Sequence, residues 1–230
     1  MDEPREKIRI VIVEDEGLFR DLLRIALSRH PSLEVVGTFP DGESALEAAP
    51  ALRPRAALLD IELGSSLNGI QVGLRLRQLL PDLGIVLLSN HGDINFLTAL
   101  SEEAIGGWSY LLKKSVSDVE TLTRAVEGAT GRLVVLDPQL VALRRPRAGG
   151  LLDRLSPRQR EILNLLAEGF TNTAIAKRLV LAEKSVENQI NLLYHQLAIN
   201  RQDSSLHPRV KAVLLYLQET QTGGSGVFPS

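Results

Sequence analysis

Five short, largely apolar segments recur along the first half of the chain, and stretches with helical periodicity lie between and after them. Apolar runs of this length are typical of strands that are buried on both faces of a parallel sheet. The alternation predicts a doubly wound α/β domain with a five-stranded parallel sheet. The predicted strands are Ile8–Val13, Glu34–Phe39, Ala56–Asp60, Ile85–Ser89 and Ser109–Leu112. The predicted helices are Leu18–His30, Gly42–Ala51, Gly69–Leu80, Asn95–Glu103 and Ser117–Gly128.

The second half of the chain has helical patterning only. Ser156 is a good N-cap, Pro157 suits the first helical position, and Gln159 completes a capping box. The pattern predicts an all-α domain of four helices. The first helix starts at Pro157 and is ended by Gly169, and the others are Ala174–Leu179, Lys184–Leu197 and Val210–Glu219.

Composition separates the two patterned halves. The tract Arg144–Gly150 is rich in Arg, Pro and Gly, which is typical of an interdomain linker. The end of the chain contains Gly-Gly-Ser-Gly and is predicted to be disordered. The predicted organisation is an α/β domain over 7–130, a linker over 131–152, a helical domain over 153–219 and a disordered tail over 220–230.

Cysteine is absent, which excludes disulfides, thiolate metal sites and a cysteine nucleophile. The first residues are charged, and no apolar run approaches the ~18 residues that a membrane span needs. We therefore expect a soluble, cytoplasmic protein without membrane insertion. The net charge of −2 conceals an acidic first half and a mildly basic second half. That division is compatible with a metal site followed by a nucleic-acid-binding module.

Reactive side chains follow the predicted strands. In an open α/β sheet the carboxyl ends of the strands share one crevice, so these residues should converge. A carboxylate in such a group can attack a phosphoryl donor and form an acyl phosphate. A lysine would neutralise one phosphoryl oxygen, and a serine would donate a hydrogen bond to another. The residues are Glu14 and Asp15 after the first strand, Asp60 at the end of the third, Ser89 at the end of the fourth and Lys113 after the fifth.

The acids among these residues predict a divalent metal site. Mg²⁺ prefers one or two carboxylates, waters and a phosphate oxygen. Glu14 and Asp15 would supply ligands, and Asp60 would supply both a ligand and the attacking oxygen. The backbone carbonyl of Glu62 is a further candidate ligand. The expected cofactor is therefore Mg²⁺.

Residues Ile8–Gly128 resemble the receiver domain of response regulators. The resemblance implies a flavodoxin-like fold, phosphorylation of Asp60 by a partner histidine kinase, and movement of Ser89 and Tyr110 as switch residues. The motifs that carry it are Val13-Glu14-Asp15-Glu16, Leu58-Leu59-Asp60, Leu87-Leu88-Ser89-Asn90 and Tyr110-Leu111-Leu112-Lys113-Lys114.

The chain departs from the receiver pattern in two places. Gly64 stands where the family usually has proline, within a longer loop that borders the predicted site. Ser109 stands where glycine is common, and the bulky Trp108 precedes it. We interpret Trp108 as a packing residue.

Residues Leu155–Leu217 resemble the four-helix DNA-binding domain of the NarL/LuxR type. The motifs are Leu155–Leu163, Gly169–Asn172, Ile175–Leu179 and Ser185–Gln189. A helix-turn-helix places its second helix in the major groove, with polar side chains facing the base edges. On the predicted third helix of this domain those side chains are Lys184, Glu187, Asn188, Asn191 and His195. The candidate phosphate contacts are Lys177, Arg178 and Arg201.

This module also departs from the family. Lysine is common where Glu187 stands, and a basic residue is frequent where Asn191 stands. Ala182 replaces the usual Ser or Thr cap, which forgoes roughly 1 kcal/mol. The loop Asn200–Pro208 is longer than usual. One interpretation is a module that recognises an altered DNA sequence. The other is a degenerate module that packs or dimerises but binds DNA weakly.

Together the two resemblances identify the chain as similar to two-component response regulators of the NarL/LuxR (FixJ) type. They imply a DNA-binding transcriptional regulator that is controlled by phosphorylation, forms a homodimer when phosphorylated and is not an enzyme. The alternatives are a protein-interaction output and a phosphate-independent regulator or phosphoryl sink. A metal-dependent phosphatase, in which Glu62 would be the second carboxylate, is a further alternative.

Overall fold

The computed structural model describes residues 6–92, 97, 100, 102–116, 118–200 and 206–222. The chain divides into two compact units. The first comprises Met1–Gly92 and Gly107–Val135, and the second comprises Asp93–Gly106 and Leu136–Ser230. Within the described ranges, every helix is too short or too polar to cross a membrane.

The first unit is built on a twisted sheet with the strand order β2-β1-β3-β4-β5-β6. The pairs from β2 through β5 are parallel. Strands β3, β4 and β5 are buried along their whole length, which explains their nearly continuous apolar sequences. The strands are β1 Ile8–Val13, β2 Leu33–Phe39, β3 Ala56–Asp60, β4 Gly84–Ser89, β5 Trp108–Leu112 and β6 Val135–Leu136.

Helices cover both faces of this sheet. Ile10, Leu58 and Val86 belong to a core shared with apolar residues of α1 and α5. Leu59 points to the opposite face, because successive strand residues alternate, and there it lies against Gly73 of α3. The helices of this unit are α1 Gly17–Ser28, α2 Gly42–Leu52, α3 Gly69–Leu79 and α5 Val119–Thr130, whereas α4 Glu102–Ile105 belongs to the second unit.

The second unit contains the helical domain. Its core is formed by Ile162, Leu166, Val186, Leu193 and Val213, which are all completely buried. A short turn joins its second and third long helices, as a helix-turn-helix requires. Its elements are α6 Pro138–Leu143, β7 Arg144–Pro146, α7 Pro157–Ala167, α8 Asn172–Leu179, α9 Glu183–Gln196, α10 Pro208–Glu219 and β8 Thr220–Thr222.

The capping box predicted at the start of α7 is present. The Ser156 hydroxyl accepts a hydrogen bond from the Gln159 backbone N–H at 3.2 Å. The Gln159 side-chain oxygen accepts one from the Ser156 backbone N–H at 2.9 Å. Two of the backbone donors that a helix start leaves without partners are thereby satisfied, which fixes where α7 begins.

Two predictions about secondary structure need correction, and the predicted linker holds short elements of its own. The sheet has six strands rather than five, because β6 adds to its edge. The segment predicted as a linker contains β6, α6 and β7. The predicted disorder is wrong for Thr220–Thr222, which pairs antiparallel with β7. The predicted helix Asn95–Glu103 falls mostly on residues outside the described ranges, as do residues 223–230 of the predicted tail.

A half-buried arginine explains why the end of the chain is ordered there. The Arg144 guanidinium donates to the Thr220 hydroxyl at 2.6 Å, the Leu217 carbonyl at 2.9 Å and the Thr220 carbonyl at 3.1 Å. These bonds satisfy the Leu217 carbonyl in the last turn of α10 and join β7 to β8. The sequence carries no sign of this contact, because composition cannot detect a partner that lies more than seventy residues away.

The packing interpretation of Trp108 agrees with the structure. Its side chain is completely buried. A Cβ at Gly73 would lie 2.8 Å from the indole, so the ring occupies space that glycine leaves open. Arg77 is on the same helix as Gly73, and its guanidinium lies 5.9 Å from the centroid of the Trp108 ring. Ser109 is also buried and donates to the Ala125 carbonyl at 3.1 Å, so its hydroxyl is satisfied within the fold.

We predict that Gly69→Ala destabilises the first unit. A Cβ at Gly69 would lie 2.1 Å from the carbonyl oxygen of Asp60, so α3 would have to move away from the end of β3. The expected loss is about 1–3 kcal/mol in the free energy of unfolding, measured by urea denaturation.

Gly17→Ala is the matched control, because Gly17 is also the first residue of a helix. Its Cβ would meet only Arg20, at an ordinary 3.7 Å. Stability should stay the same or rise by up to about 1 kcal/mol. Equal effects of the two substitutions would contradict the proposed role of the close contact.

Candidate functional site

Three side chains far apart in sequence meet at the carboxyl edge of the sheet. Lys113 Nζ lies 2.9 Å from Asp60 Oδ2. The same nitrogen lies 3.1 Å from Glu14 Oε1 and 3.0 Å from Glu14 Oε2. Glu14 and Asp60 are buried, at 0% and 1% exposure, so Lys113 is the counter-ion of two buried acids. The convergence expected from the strand ends is therefore present for these residues.

The acids could also hold a cation. Glu14, Asp15 and Asp60 each offer an oxygen, and these atoms all lie within 4.8 Å of one another. Glu14 Oε2 is buried and accepts no hydrogen bond. Lys113 Nζ lies 3.0 Å from this oxygen without donating a hydrogen bond to it, so the oxygen keeps acceptor capacity for a second cation. The oxygen-only donor set is the type that Mg²⁺ prefers, so the residues fit this ion.

Burial and charge shift the pKa values of this cluster. Burial raises the pKa of Glu14 to about 7; the hydrogen bond from Lys113 acts in the opposite direction, and the nearby charge of Asp60 raises it further. Burial by itself lowers the pKa of Lys113, but its hydrogen bonds to Asp60 and Glu14 outweigh burial and raise it. The lysine is therefore charged near neutral pH, while Glu14 titrates there. The ammonium also lies 5.0 Å from the ring centroid of Phe19.

Backbone groups orient the acids further. Asp60 Oδ1 accepts a hydrogen bond from the Glu62 N–H at 3.1 Å. Asp15 Oδ2 accepts one from the Gly64 N–H at 3.1 Å. Proline, usual in the family at position 64, has no N–H to donate. The departure from the family pattern at Gly64 thus supplies a hydrogen bond to a predicted metal ligand.

The two predicted switch residues both contact the backbone of His91. The Ser89 hydroxyl accepts from the His91 N–H at 3.0 Å. The Tyr110 hydroxyl donates to the His91 carbonyl at 2.5 Å. Ser89 and Tyr110 are nearly fully buried, at 3% and 1% exposure. A shift of the backbone at His91 would therefore be felt by both side chains.

Sequence reasoning assigned no role to three residues at this edge, which are Arg20, Asn90 and His91. The Glu62 carboxylate accepts from Asn90 Nδ2 at 2.9 Å and lies 3.1 Å from His91 Nε2, which joins the loop after β3 to the loop after β4. Arg20 Nη1 donates to the carbonyls of Glu14 and Asp15 at 2.5 and 3.2 Å. Arg20 lies near the start of the helix that follows Glu14 and Asp15, and this position was the signal that could have predicted its contact with them. The sequence predicted only the backbone carbonyl of Glu62 as a metal ligand. The partners of its side chain became visible only in the tertiary structure.

In the helical domain, α9 has the orientation that the sequence predicts. Val186, Ile190, Leu193 and Leu197 are buried. The predicted base-reading residues Lys184, Asn188, Asn191 and His195 are exposed, and Glu187 is half-buried. Lys177 and Arg178 on α8 are exposed as well, and Arg201 lies outside the described residues.

Charge pairing modifies the predicted DNA-facing surface. Lys184 Nζ lies 2.9 Å from Glu187 Oε2, so the unexpected acid is paired with a base of the same helix. Ala182 makes no side-chain capping bond at the start of α9. The Thr173 hydroxyl instead donates to the Glu183 carboxylate at 2.8 Å, which ties α8 to the first turn of α9.

Comparison with known protein families gives the same two-part division. The family model described as "Response regulator receiver domain" matches residues 10–127. The family model described as "Bacterial regulatory proteins, luxR family" matches residues 153–207. The chain belongs to the response regulators that carry a receiver domain followed by a LuxR-type domain, a family of transcription regulators rather than enzymes.

Relatives match over nearly their full length. The chain is 32% identical to "Probable transcriptional regulatory protein NarL" of Mycobacterium tuberculosis, covering 94% of this chain and 100% of that protein. It is also 32% identical to "Nitrate/nitrite response regulator protein NarL" of Escherichia coli (strain K12), covering 94% and 97%. A solved "two-component response regulator RcsB-DNA complex" is similar with a TM-score of 0.50 and 25% identity, covering 93% of this chain and 99% of that one.

The raised pKa of Glu14 predicts a pH-dependent stability in the absence of metal. The folded state binds a proton more tightly than the unfolded state between the ordinary pKa of 4.5 and about 7. Unfolding free energy should therefore fall as pH rises through this window, by about 1–3 kcal/mol. Urea denaturation at pH 5 and pH 8 with a chelator measures the loss. Added Mg²⁺ should restore stability at pH 8, because the ionised carboxylate binds the cation.

Two substitutions isolate this contribution. Glu14→Gln should remove most of the pH-dependent loss and also the stabilisation by Mg²⁺. Glu16→Gln removes an exposed carboxylate two residues away and should behave like the wild type. A wild-type pH slope in Glu14→Gln would contradict the assignment to Glu14.

Proposed function

We propose that the chain is a phosphorylation-controlled transcriptional regulator whose Asp60 accepts a phosphoryl group from a partner histidine kinase. Phosphorylation promotes a homodimer that binds DNA in the cytoplasm, where its DNA target lies. The buried contact of Lys113 with Asp60 and Glu14 carries this proposal. A lysine ammonium held beside Asp60 by two buried acids is placed to stabilise the charge of an added phosphoryl group.

The side chains at the sheet edge divide the chemistry of transfer. Mg²⁺, held by Glu14, Asp15, Asp60 and the Glu62 carbonyl, would offset the repulsion between a phosphoryl donor and the acids. An Asp60 oxygen attacks phosphorus, the bond from phosphorus to the donor breaks, and an acyl phosphate forms. Lys113 stays within reach of the new group and neutralises one of its oxygens.

Ser89 connects this chemistry to the switch. Its hydroxyl accepts from His91 N–H and donates to a phosphoryl oxygen when it turns towards Asp60. The loop that carries His91 then moves, and Tyr110 moves with it, because its hydroxyl is bonded to the His91 carbonyl. Such a change of two side chains is a local event that can bias a larger equilibrium towards a dimer.

The helical domain is the proposed DNA-binding output. The full-length similarity to transcriptional regulators and to a solved RcsB–DNA complex supports it. The exposed polar face of α9 suits the major groove, and the exposed Lys177 and Arg178 suit phosphates. The alternative is a protein-interaction output, which would lack the steep loss of affinity with salt that DNA binding shows.

The first test uses Asp60→Asn. With Mg²⁺ and acetyl phosphate, the wild type should dimerise and enrich genomic fragments that contain paired half-sites, whereas Asp60→Asn should give the same result with and without the donor. Asp21→Asn, which removes an exposed acid of α1, should behave like the wild type. If Asp60→Asn responds as the wild type does, phosphorylation at Asp60 is not the switch. Absence of enriched DNA from folded wild type in both states would favour the protein-interaction output.

An exposed apolar stripe beside the site suits the kinase. Leu18, Leu22 and Ile25 share one face of α1 and are 78%, 54% and 43% exposed. The helix starts two residues after Asp15, so a protein seated on the stripe is positioned to reach Asp60. Exposed apolar residues grouped next to a reactive site mark a protein-interaction surface.

We predict that Leu22→Ser slows phosphoryl transfer from the kinase but leaves transfer from acetyl phosphate unchanged. Truncation of an interface leucine should cost at least about fivefold in transfer rate. The kinase for this assay is the one that phosphorylates the wild type fastest when the histidine kinases of the source organism are profiled. Leu79→Ser on α3 is the control, since Leu79 is 52% exposed. Equal slowing with both donors would instead indicate damage to the Asp60 site.

A further inference from the structure

Two side chains of opposite charge form a pair on the exposed side of α9. Lys184 Nζ and Glu187 Oε2 are 2.9 Å apart, and their side chains are 80% and 41% exposed. Residues three apart on a helix lie on the same face. The carboxylate that should repel DNA phosphates is therefore neutralised by its neighbour, and both groups stay accessible to a ligand.

The pair belongs to a polar cleft of the helical domain. The cleft has a volume of about 610 Å³, and Lys184, Glu187 and Asn191 line it from α9. Arg209 lines it from α10, where its guanidinium donates to the Phe170 carbonyl. Because that hydrogen bond orients Arg209 towards the protein, the charged groups of α9 are the ones presented outward.

A paired ammonium and carboxylate match one base pair best. In the major groove guanine presents two adjacent acceptors, O6 and N7, and its partner cytosine presents the N4 amino donor. An ammonium suits the adjacent acceptors, and a carboxylate accepts from the cytosine amino group. An A·T pair presents the adenine N6 donor between two acceptors, adenine N7 and thymine O4. An ammonium therefore finds no two adjacent acceptors on an A·T pair.

We propose that Lys184 and Glu187 together read one G·C base pair in each DNA half-site, with Lys184 on guanine and Glu187 on cytosine. The inference rests on the proposed DNA-binding function and gives it a sequence preference. Glu187 acts as a specificity-determining residue. It need not weaken DNA binding, because its charge is already balanced by Lys184 in the unbound protein.

The test is selection of duplexes from a random library by the full-length protein with Mg²⁺ and acetyl phosphate. Wild type should prefer C over the other bases at one position per half-site by roughly tenfold. Glu187→Gln should lose that preference and gain A at the same position, because a glutamine amide pairs with adenine N6 and N7. Preferences at the other positions should remain.

A control and a double substitution sharpen the result. Gln196→Ala changes an exposed residue that lies about two and a half turns from Glu187, on the opposite side of α9, and its selected sequence should match the wild type. Lys184→Met should weaken the preference for G in the partner strand. Adding Glu187→Gln to Lys184→Met should change discrimination at this base pair less than Glu187→Gln does alone, because the two residues act as a unit.

The outcomes separate the two proposals. A wild type that selects no sequence would overturn the DNA-binding function and this inference together. A wild type that selects a sequence which Glu187→Gln leaves unchanged would overturn only the inference. The same holds if Glu187→Gln alters affinity for all duplexes equally, because the carboxylate would then act through its charge and not by reading a base.

Discussion

The contact of Lys113 with Glu14 and Asp60 is the constraint on which the receiver part of the chain depends. Two acids at 0% and 1% exposure are tolerated only with a counter-ion, and Lys113 supplies it at about 3 Å from both. A buried ion pair adds little net stability, since desolvation offsets most of the attraction. Stability alone therefore does not account for this cluster, and the pKa of about 7 at Glu14 fits a site prepared for a further cation.

This site is joined to the predicted switch through the backbone of His91. Ser89 and Tyr110 bond to the N–H and the carbonyl of that residue, and the Glu62 carboxylate pairs with its side chain. The loops after β3 and β4 are thus linked to each other and to strand β5 by a few polar contacts. Such a network switches between discrete hydrogen-bonding arrangements and does not deform continuously. This behaviour suits a site that must change conformation when one phosphoryl group is added to Asp60.

In the helical domain, local weaknesses are offset by contacts from other elements. Ala182 provides no side-chain cap for α9, and the Thr173–Glu183 hydrogen bond ties the helix start to α8 instead. Arg144 closes the carbonyl end of α10 by bonding to Thr220 and Leu217. In the same way, Lys184 balances the negative charge of Glu187, which stands where lysine is common in the family. Each compensation joins residues that local propensity treats separately.

Much of the fold was predictable because its causes are local. Apolar runs at strand length predicted β1 to β5, and the Ser156–Gln159 capping box predicted the start of α7. The site residues Glu14, Asp60 and Lys113 could be named because parallel strands bring their carboxyl ends to one edge. The short strands β6, β7 and β8 could not be predicted, since two or three residues carry no measurable periodicity.

The sequence by itself determined the class of the two domains, the acids, the lysine and the exposed face of α9, because periodicity and strand order fix which residues share an edge or a face. Only the tertiary structure decided that Gly64 holds Asp15, that Glu62 reaches Asn90 and His91, and that Thr220 pairs with Arg144. Those contacts depend on distances between segments that are remote in sequence. Such distances follow from the packing of the whole fold, which no local pattern encodes.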